Sequence, residues 1–235
     1  MKFAQPLIPA ILVRRYKRFL ADVTLEDGRE VTAHCANPGG MLGLKEPGSR
    51  IWLEPNSNPK RKLRFSWKLI ELPDGHLAGI DTMVPNVVVG EALRAQKIPE
   101  VANYSTIKPE VKYGKSSRID FLLTQEGLPD AFIEVKNVHF RRTDDWAEFP
   151  DSVTARGAKH LAELSDMVEQ GHRAIMLYLV QRTDCARFKL AEDYDPTYAK
   201  AYQKAREAGV EMLCYAASLS PSGIHLSHSL PIDQS

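Results

Sequence analysis

The chain has 235 residues, of which 43 % are apolar and 26 % are charged, and its formal net charge is +1. This composition is typical of ordinary globular domains and excludes a disordered tail, a fibrous repeat and a membrane protein, since no apolar stretch approaches the roughly 20 residues of a spanning helix. The near-zero net charge, taken alone, argues against nucleic acid as a partner.

Cysteine usage indicates the compartment. Cys35, Cys185 and Cys214 are odd in number, far apart in the chain and without a CxxC pair. A disulfide framework and a zinc cluster are therefore both disfavoured, and the three side chains are expected to be small buried hydrophobes. Because the first residues also lack the apolar core of a signal peptide, we expect a cytoplasmic protein with no membrane partner.

The first 82 residues have the pattern of short strands and turns. Apolar and polar residues alternate, or apolar residues cluster between turns, in five segments: residues 19–25, 31–35, 50–54, 63–72 and 77–82. The first two segments flank a turn that contains Gly28, and the last two flank Pro73-Asp74-Gly75, so each pair is expected to form a hairpin. Five short strands in this length predict a small OB-like β-barrel.

After residue 82, helices and strands alternate. Helical spacing or length predicts helices at residues 86–97, 153–170 and 196–208, and apolar runs predict strands at 111–113, 118–124, 131–137, 174–181 and 210–215. The tail from Ser218 is expected to be a loop or a short edge strand. The sequence therefore predicts an α/β chain (α+β overall) with two domains, a barrel at 1–82 and a mixed sheet flanked by helices at 83–235.

The two predicted domains differ in charge. Residues 1–82 have 13 Lys and Arg against 9 Asp and Glu, a net charge of +4, whereas the remainder has a net charge of −3. The basic residues of the first domain form two clusters near Trp52 and Trp67: Arg14, Arg15, Lys17 and Arg18, then Lys60, Arg61, Lys62, Arg64 and Lys68. Such clusters are typical of a groove that follows phosphates and stacks bases, and they predict nucleic-acid binding with little sequence preference. The alternative is a solvated barrel surface over core tryptophans.

The strongest chemical pattern is a pair of acids on a predicted hairpin. If strands 118–124 and 131–137 turn about Gly127, position i faces position 254 − i, and Asp120 lies opposite Glu134. Opposed Cβ atoms are roughly 4.5–5.5 Å apart, so the two carboxylates repel each other unless a proton or a cation lies between them. Such a pair suits Mg²⁺ or Mn²⁺, and Lys136, on the same strand face as Glu134, is placed to orient or deprotonate a water.

Two other interpretations of the acids were weighed. Asp130 also precedes Glu134, but four strand residues separate them by about 13 Å, so Asp130 is better explained as a turn residue. The trio of Asp120, Glu134 and Lys136 has an alternative as an exposed salt-bridge patch, which the flanking apolar residues disfavour.

Longer stretches of the chain resemble a known family. The pattern Asp-(x)13-Glu-x-Lys on a hairpin resembles the PD-(D/E)xK restriction-endonuclease-like superfamily, and the chain more closely resembles the sugar fermentation stimulation protein A family. The matching text lies at residues 15–23 (RYKRFLADV), 34–39 (HCANPG), 110–114 (EVKYG), 117–121 (SRIDF), 133–138 (IEVKNV), 149–154 (FPDSVT), 156–157 (RG) and 159–161 (KHL). The resemblance implies an OB-like domain, a nuclease-like domain, DNA binding and a role in regulating sugar (maltose) utilisation.

The resemblance adds supporting residues to the site. It implies that Glu91, on the helix before the hairpin, joins Asp120 and Glu134 as a metal ligand, with a solvated helix face as the alternative. Arg156, Lys159, His160 and Glu163 share one face of the next helix, which either holds the scissile phosphate or is an ordinary polar face.

Three functions remain open from the sequence. The first is a DNA-binding protein with catalytic Asp120, Glu134 and Lys136 that hydrolyses phosphodiesters with Mg²⁺ or Mn²⁺. The second is a non-catalytic DNA-binding regulator that uses an inactive nuclease fold. The third is an RNA-processing enzyme, because neither motif distinguishes the sugar.

Overall fold

The N-terminal third of the molecule is a barrel of short strands. The computed structural model describes residues 1–114 and 117–233. Its first six strands are β1 (Ile8–Tyr16), β2 (Leu20–Leu25), β3 (Glu30–Cys35), β4 (Arg50–Pro55), β5 (Phe65–Glu71) and β6 (Leu77–Gly79). They follow the order β3-β2-β1-β4-β5-β6, and a β3–β5 pairing closes β1 to β5 into a ring.

The OB-like barrel predicted from the sequence is confirmed, but its membership differs from the prediction. The closed ring contains β1, which the alternation of the sequence did not indicate, whereas β6 extends the β5 hairpin outside the ring. Strand β1 was missed because its outward positions carry Ile11 and Val13, which are exposed although apolar. An exposed apolar face removes the period-2 signal on which strand prediction depends.

The barrel core is apolar and includes one of the tryptophans. Trp67 is fully buried, and its indole N–H donates to the carbonyl of Leu69 (2.9 Å). The prediction that Trp67 offers a stacking face is therefore wrong, because its ring packs inside the barrel with Leu53 and Met41. Trp52 is partly buried, and the Arg50 guanidinium lies 5.3 Å from its ring centre.

The described residues from 83 onward form one mixed sheet, a small two-stranded sheet and three α-helices. Its elements are α1 (Val84–Arg94), β7 (Thr106–Tyr113), β8 (Ser117–Thr124), β9 (Ala131–Val138), β10 (Trp146–Phe149), α2 (Ala155–Glu169), β11 (Arg173–Val180), β12 (Arg187–Leu190), α3 (Pro196–Glu207), β13 (Glu211–Ser220) and β14 (Gly223–Ser229). The large sheet has the order β14-β13-β11-β9-β8-β7. Strands β13, β11 and β9 are parallel at its centre, and antiparallel partners lie on both sides.

Helices cover both faces of this sheet. The apolar side of α1 packs on one face with Ile133 and Val135 of β9. On the other face, Leu161 and Leu164 of α2 pack with Tyr198 of α3. None of the described helices is long and apolar enough to cross a membrane.

In the described residues after 82, the strands that the sequence left unpredicted are short. The tail after Ser218 ends in edge strand β14, one of the two predicted alternatives. The parallel pair β10 and β12 was missed, because four-residue strands with mixed composition carry too little periodicity to be recognised.

Hydrogen bonds join the barrel to the mixed sheet. Gly79 N donates to the carbonyl of Gln181 (2.8 Å), and Thr183 N donates to the carbonyl of Leu77 (3.0 Å). Strand β6 is therefore bonded to the chain that follows β11, which fixes the barrel beside the carboxyl end of the central strands.

We expect Gly157→Ala in α2 to destabilise the protein. Alanine in place of glycine usually stabilises a helix by about 1 kcal/mol. Here a Cβ would lie 2.9 Å from the side chain of Thr154 and 3.0 Å from the ring of Tyr198. We therefore expect a loss of about 1–3 kcal/mol in the free energy of unfolding, measured by urea denaturation. Ala155→Gly, at an exposed position of the same turn, is the control and should cost less than about 1 kcal/mol. A more stable Gly157→Ala variant would contradict this packing.

Candidate active site

The candidate site lies where two antiparallel strands separate. Strands β8 and β9 pair through Leu123↔Ala131, Leu122↔Phe132 and Phe121↔Ile133, which is the register predicted from the sequence. The pairing stops one residue before Asp120. Beyond it, the N–H of Val135 donates to Oδ2 of Asp120 (2.7 Å) in place of a ladder partner on β8. A carboxylate therefore lies at the point where the strands diverge.

Asp120 is a half-buried acid, and both of its carboxylate oxygens accept hydrogen bonds. Its Oδ1 accepts from the side-chain amide of Asn86 on α1 (2.7 Å). Burial first and the neighbouring Glu134 second raise the pKa of Asp120 to about 6, although Val135, Asn86 and Lys136 act in the opposite direction. The hydrogen bonds and the lysine near Asp120 therefore do not fully offset the cost of its negative charge in this environment.

Glu134 is 4 % exposed, and only one of its two carboxylate oxygens has hydrogen-bond partners. Its Oε1 accepts from Lys136 Nζ (2.7 Å) and also hydrogen-bonds with Nδ1 of His160. Its Oε2 is buried without a hydrogen-bond partner. Burial raises the pKa of Glu134, but His160 and Lys136 outweigh it and hold that pKa below its ordinary value. The residue is thus an anion with one free buried oxygen.

Two further polar side chains border the same space. Both carboxylate oxygens of Glu163 on α2 and the hydroxyl of Tyr113 on β7 are buried without hydrogen-bond partners. Lys159 Nζ lies 3.6 Å from Glu163 Oε1. Burial raises the pKa of Tyr113, and so do the negative charges of Glu134, Glu163 and Asp120. The three acids therefore all lie near this one hydroxyl.

These orphaned oxygens fit a hard cation. Mg²⁺ and Mn²⁺ bind carboxylate oxygens and retain several waters, so one or two protein carboxylates are enough to hold them. Among the described residues, no group of three or more His, Cys, Asp or Glu side chains has the geometry of an enclosed metal site. The arrangement therefore suits an open site in which water and substrate complete the shell.

The structure does not bring Glu91 to this site. Glu91 is exposed, and its carboxylate pairs with the amino group of Met1 (2.5 Å). Five residues separate it from Asn86, which contacts Asp120, so the two side chains leave α1 about 140° apart. The predicted role of Glu91 as a metal ligand is thus corrected: Asn86 is the residue of α1 that reaches the carboxylates.

The polar face of α2 does face the site, with a different division of roles. His160, expected to bind DNA, is 4 % exposed and lies between Glu134 and Arg156, whose Nε is 3.3 Å from His160 Nε2. It is therefore a partner of the carboxylate rather than a free phosphate ligand. Arg156 and Lys159 are exposed on the same helix, and Lys159 forms an ion pair with Glu163.

The basic residues of the barrel divide into free and engaged groups. The exposed members lie on the β1–β2 turn and the β4–β5 loop: Lys17, Arg18, Lys60, Arg61, Lys62 and Arg64. Arg14 is exposed but pairs with Asp22 (2.8 Å). The predicted DNA contact of Arg15 is corrected, because its Nη2 donates to the carbonyls of Asn37 (2.8 Å) and Gly39 (3.1 Å). Lys68 is engaged with Asp81 (2.7 Å) and Glu54 (3.4 Å).

Sequence reasoning missed two members of the site. Asn86 and Tyr113 carry no charge, so no charge pattern marks them, although Tyr113 lies within the EVKYG stretch. Glu163 was recognised only as part of a helix face. Its spacing of three residues from His160 was the signal that placed both on the side of α2 that faces Glu134.

Comparisons with known proteins agree with this architecture. Two family models match, the SfsA N-terminal OB domain over residues 13–80 and the sugar fermentation stimulation protein RE domain over residues 83–223. The sugar fermentation stimulation protein homolog of Dinoroseobacter shibae is 66% identical over 234 residues, covering 99% of this chain and 96% of that protein. The homolog of a Jannaschia species is 61% identical and covers 100% and 98%. The structure of Pyrococcus furiosus SfsA in complex with Ca²⁺ superposes with a TM-score of 0.88 at 28% identity and covers 99% of both chains.

We expect Asp120→Asn to change the pH dependence of stability. The carboxyl has a pKa of about 6 in the folded protein against an ordinary value of 3.8, so the folded state binds more protons than the unfolded state between these values. Wild-type stability therefore falls as pH rises through this window. In metal-free buffer, the variant should gain about 1–3 kcal/mol over wild type between pH 4 and pH 7, measured by urea denaturation.

Asp184→Asn provides a comparison of opposite sign. Burial raises the pKa of Asp184, but Arg182 and Arg141 outweigh it and lower that pKa to about 2. This variant should be less stable than wild type above pH 4. An Asp120→Asn difference that stays constant from pH 4 to pH 7 would contradict the raised pKa.

Proposed function

The chain belongs to the sugar fermentation stimulation protein family, and we propose that it binds DNA and hydrolyses phosphodiester bonds at the Asp120–Glu134 site with Mg²⁺ or Mn²⁺. One observation carries the proposal: the half-buried carboxylate of Asp120 and the buried carboxylate of Glu134, which has an unpartnered oxygen, lie where strands β8 and β9 separate. A purely structural site would gain nothing from this repulsion.

The side chains have separate roles in the proposed reaction. A bound divalent cation would supply Lewis acidity and neutralise charge on the phosphate. Asp120, held by Asn86 and by the N–H of Val135, and Glu134, through its free Oε2, would hold the ion. Lys136 is fixed by Glu134 at 2.7 Å and is placed to orient the attacking water. Ca²⁺, present in the Pyrococcus furiosus structure, prefers the same oxygen ligands.

The barrel and the start of α2 would hold the nucleic acid. The exposed cations of the β4–β5 loop and of the β1–β2 turn, together with Arg156, supply phosphate contacts that carry no sequence information. This supports mostly sequence-nonspecific binding to DNA. A cytoplasmic location is part of the proposal, as expected from the cysteines.

A second candidate is a non-catalytic DNA-binding regulator of sugar (maltose) utilisation genes. The observation in its favour is that Lys136 and His160 already neutralise Oε1 of Glu134 without a metal. In that case the carboxylates stabilise the platform and the barrel alone meets the DNA.

Glu134→Gln is expected to abolish hydrolysis. The wild type incubated with plasmid DNA, single-stranded DNA or RNA should cleave at least one substrate in the presence of Mg²⁺ or Mn²⁺ and none with a chelator. The variant keeps the shape of the side chain but loses its charge, and its rate should fall by more than about 100-fold. Glu126→Gln, in the exposed β8–β9 turn, is the control and should cleave like wild type. A wild type without metal-dependent cleavage of any substrate would favour the regulator.

Nucleic-acid binding should depend on salt through the β4–β5 loop. For each phosphate contact removed, the slope of log K against log salt should become shallower by about 1. We expect the double variant Arg61→Ala/Lys62→Ala to reduce the slope by about 2, measured by fluorescence anisotropy with a labelled oligonucleotide. The matched variant Lys200→Ala/Lys204→Ala on α3 removes the same charge and should leave the slope unchanged. Equal slopes for the two variants would exclude this loop as the phosphate-binding surface.

A further inference from the structure

A line of hydrogen bonds runs from the carboxylate of Glu134 to an exposed cation at the start of α2. The buried ring of His160 lies in the middle of this line. Its Nδ1 hydrogen-bonds with Oε1 of Glu134, and its Nε2 accepts from Nε of Arg156 (3.3 Å). Lys136 Nζ also lies 3.3 Å from Nδ1. A single imidazole therefore connects Arg156 to the side of the sheet to which Glu134 and Lys136 project.

These contacts determine which ring nitrogen of His160 carries the proton. An arginine guanidinium keeps its charge in proteins and can only donate hydrogen bonds. Nε2 is therefore the nitrogen without a proton, and Nδ1 carries the proton that is donated to Glu134. Lys136 then donates to Glu134 (2.7 Å) rather than to the ring. A doubly protonated ring would direct an N–H group against Arg156, so the line requires one neutral tautomer.

The guanidinium of Arg156 is held through its inner nitrogen, and its two outer nitrogens are free. The side chain is exposed, and within residues 1–114 and 117–233 neither Nη atom has a hydrogen-bond or ion-pair partner. The two Nη groups of an arginine form a planar fork that matches two oxygens of one phosphate. Because Nε is fixed by His160, the fork is oriented before a ligand arrives.

The backbone that carries Arg156 is anchored as well. The carboxylate of buried Asp195 accepts from the N–H of Thr154 (2.7 Å) and from the N–H of Tyr198 at the start of α3 (3.0 Å). The hydroxyl of Thr154 accepts in turn from the N–H of Gly157 (3.0 Å). The first turn of α2 is therefore fixed to α3, and Arg156 has a defined position relative to the sheet.

The lysines near the acids are engaged in a different way. Lys136 Nζ donates to Glu134 at 2.7 Å, and Lys159 Nζ lies 3.6 Å from Glu163. Both acids are buried, so these lysines offset negative charges of the protein itself. Arg156 contacts a neutral ring instead, and no carboxylate in the described parts of the chain pairs with it. Its positive charge is therefore available to a phosphate that enters this acidic site.

We propose that the two Nη groups of Arg156 hold the phosphate bound at the Asp120–Glu134 site, and that His160 is the positioning residue that joins Arg156 to Glu134. The inference rests on the proposed function and adds a residue to it. Arg156 is then a catalytic residue at the phosphate that is cleaved, where it stabilises the charge on the non-bridging oxygens, and not one of the general phosphate contacts of the barrel.

The first test measures binding of a labelled DNA oligonucleotide to the full chain, by fluorescence anisotropy, with Ca²⁺ and with a chelator. With Ca²⁺, Arg156→Ala should weaken binding by about 10- to 100-fold, the usual contribution of hydrogen bonds to a charged group. With the chelator, the bare carboxylates repel the phosphate, and the loss should be less than about 3-fold. Arg206→Ala, at an exposed position of α3, is the control and should bind like wild type in both conditions. An equal effect of Arg156→Ala with Ca²⁺ and with chelator, or no effect in either, would overturn the inference.

Variants of His160 test the positioning role in the same assay. The amide of glutamine reaches the place of Nε2 and can accept from Arg156, whereas the amide of asparagine reaches only the place of Nδ1. His160→Gln should therefore retain most of the binding with Ca²⁺, and His160→Asn should lose it. The double variant His160→Asn/Arg156→Ala should bind no more weakly than Arg156→Ala alone, because the two residues act as one unit. Equal losses in the two His160 variants, or additive losses in the double variant, would exclude the positioning role.

The tautomer gives a test that needs no variant. Long-range ¹H–¹⁵N spectra of the wild type should show His160 neutral with its proton on Nδ1. A proton on Nε2 would contradict the hydrogen bond from Arg156 and with it the inference.

The outcomes separate this inference from the proposed hydrolysis. If wild type cleaves with Mg²⁺ or Mn²⁺ and Arg156→Ala binds and cleaves equally well, the hydrolysis stands and the role of Arg156 is wrong. If Arg156→Ala shows the Ca²⁺-dependent loss of binding but no metal supports cleavage, the phosphate contact stands and the hydrolysis is wrong. If both are correct, Arg156→Ala should also slow cleavage at saturating DNA by about 100-fold.

Discussion

The rest of the structure depends on the separation of β8 from β9 at Asp120. When the strands diverge, the N–H of Val135 loses its ladder partner, and a buried donor without an acceptor would be costly. The Asp120 carboxylate supplies that acceptor at 2.7 Å. It is thereby brought beside Glu134 inside the sheet, where each charge disfavours the other. The geometry that satisfies the backbone thus creates the electrostatic problem that the surrounding side chains must offset.

The surrounding side chains offset the negative charges of Asp120 and Glu134 only in part. Asn86 and Val135 neutralise no charge on Asp120, whereas Lys136 and His160 compensate only one oxygen of Glu134. The second oxygen of Glu134 has no hydrogen-bond partner, and Glu163 is offset by Lys159 at 3.6 Å without a hydrogen bond. In a low-dielectric environment such groups favour either protons or a cation. The raised pKa of Asp120 and the lowered pKa of Glu134 show that the two acids differ in this respect: Glu134 keeps its charge near neutral pH, and Asp120 is the acid nearest to protonation.

The sequence predicts strand pairing well but side-chain contacts between distant elements poorly, because only the first leaves a local pattern. The register of β8 and β9 followed from one symmetry centre at Gly127, because strand pairing is set by a turn and by alternating apolar residues. Glu91 was misplaced because an acid on the correct helix is not necessarily on the correct face, and Asn86, without charge, gave no sign of its contact with Asp120. The engagement of Arg15 with the backbone of Asn37 and Gly39 is a long-range contact that no local pattern encodes. Periodicity in the sequence thus predicted the strands, helices and strand register. The contacts between side chains of different elements could be identified only from the folded structure.

Net charge illustrates the same limit on a larger scale. The value of +1 averages a basic barrel and an acidic sheet, and the bonds of β6 to the chain after β11 hold these two parts side by side. Lys136 and Asn137 lie at the end of β9 and His139 follows that strand directly, so the chemistry of the sheet and the loops of the barrel meet at a single edge.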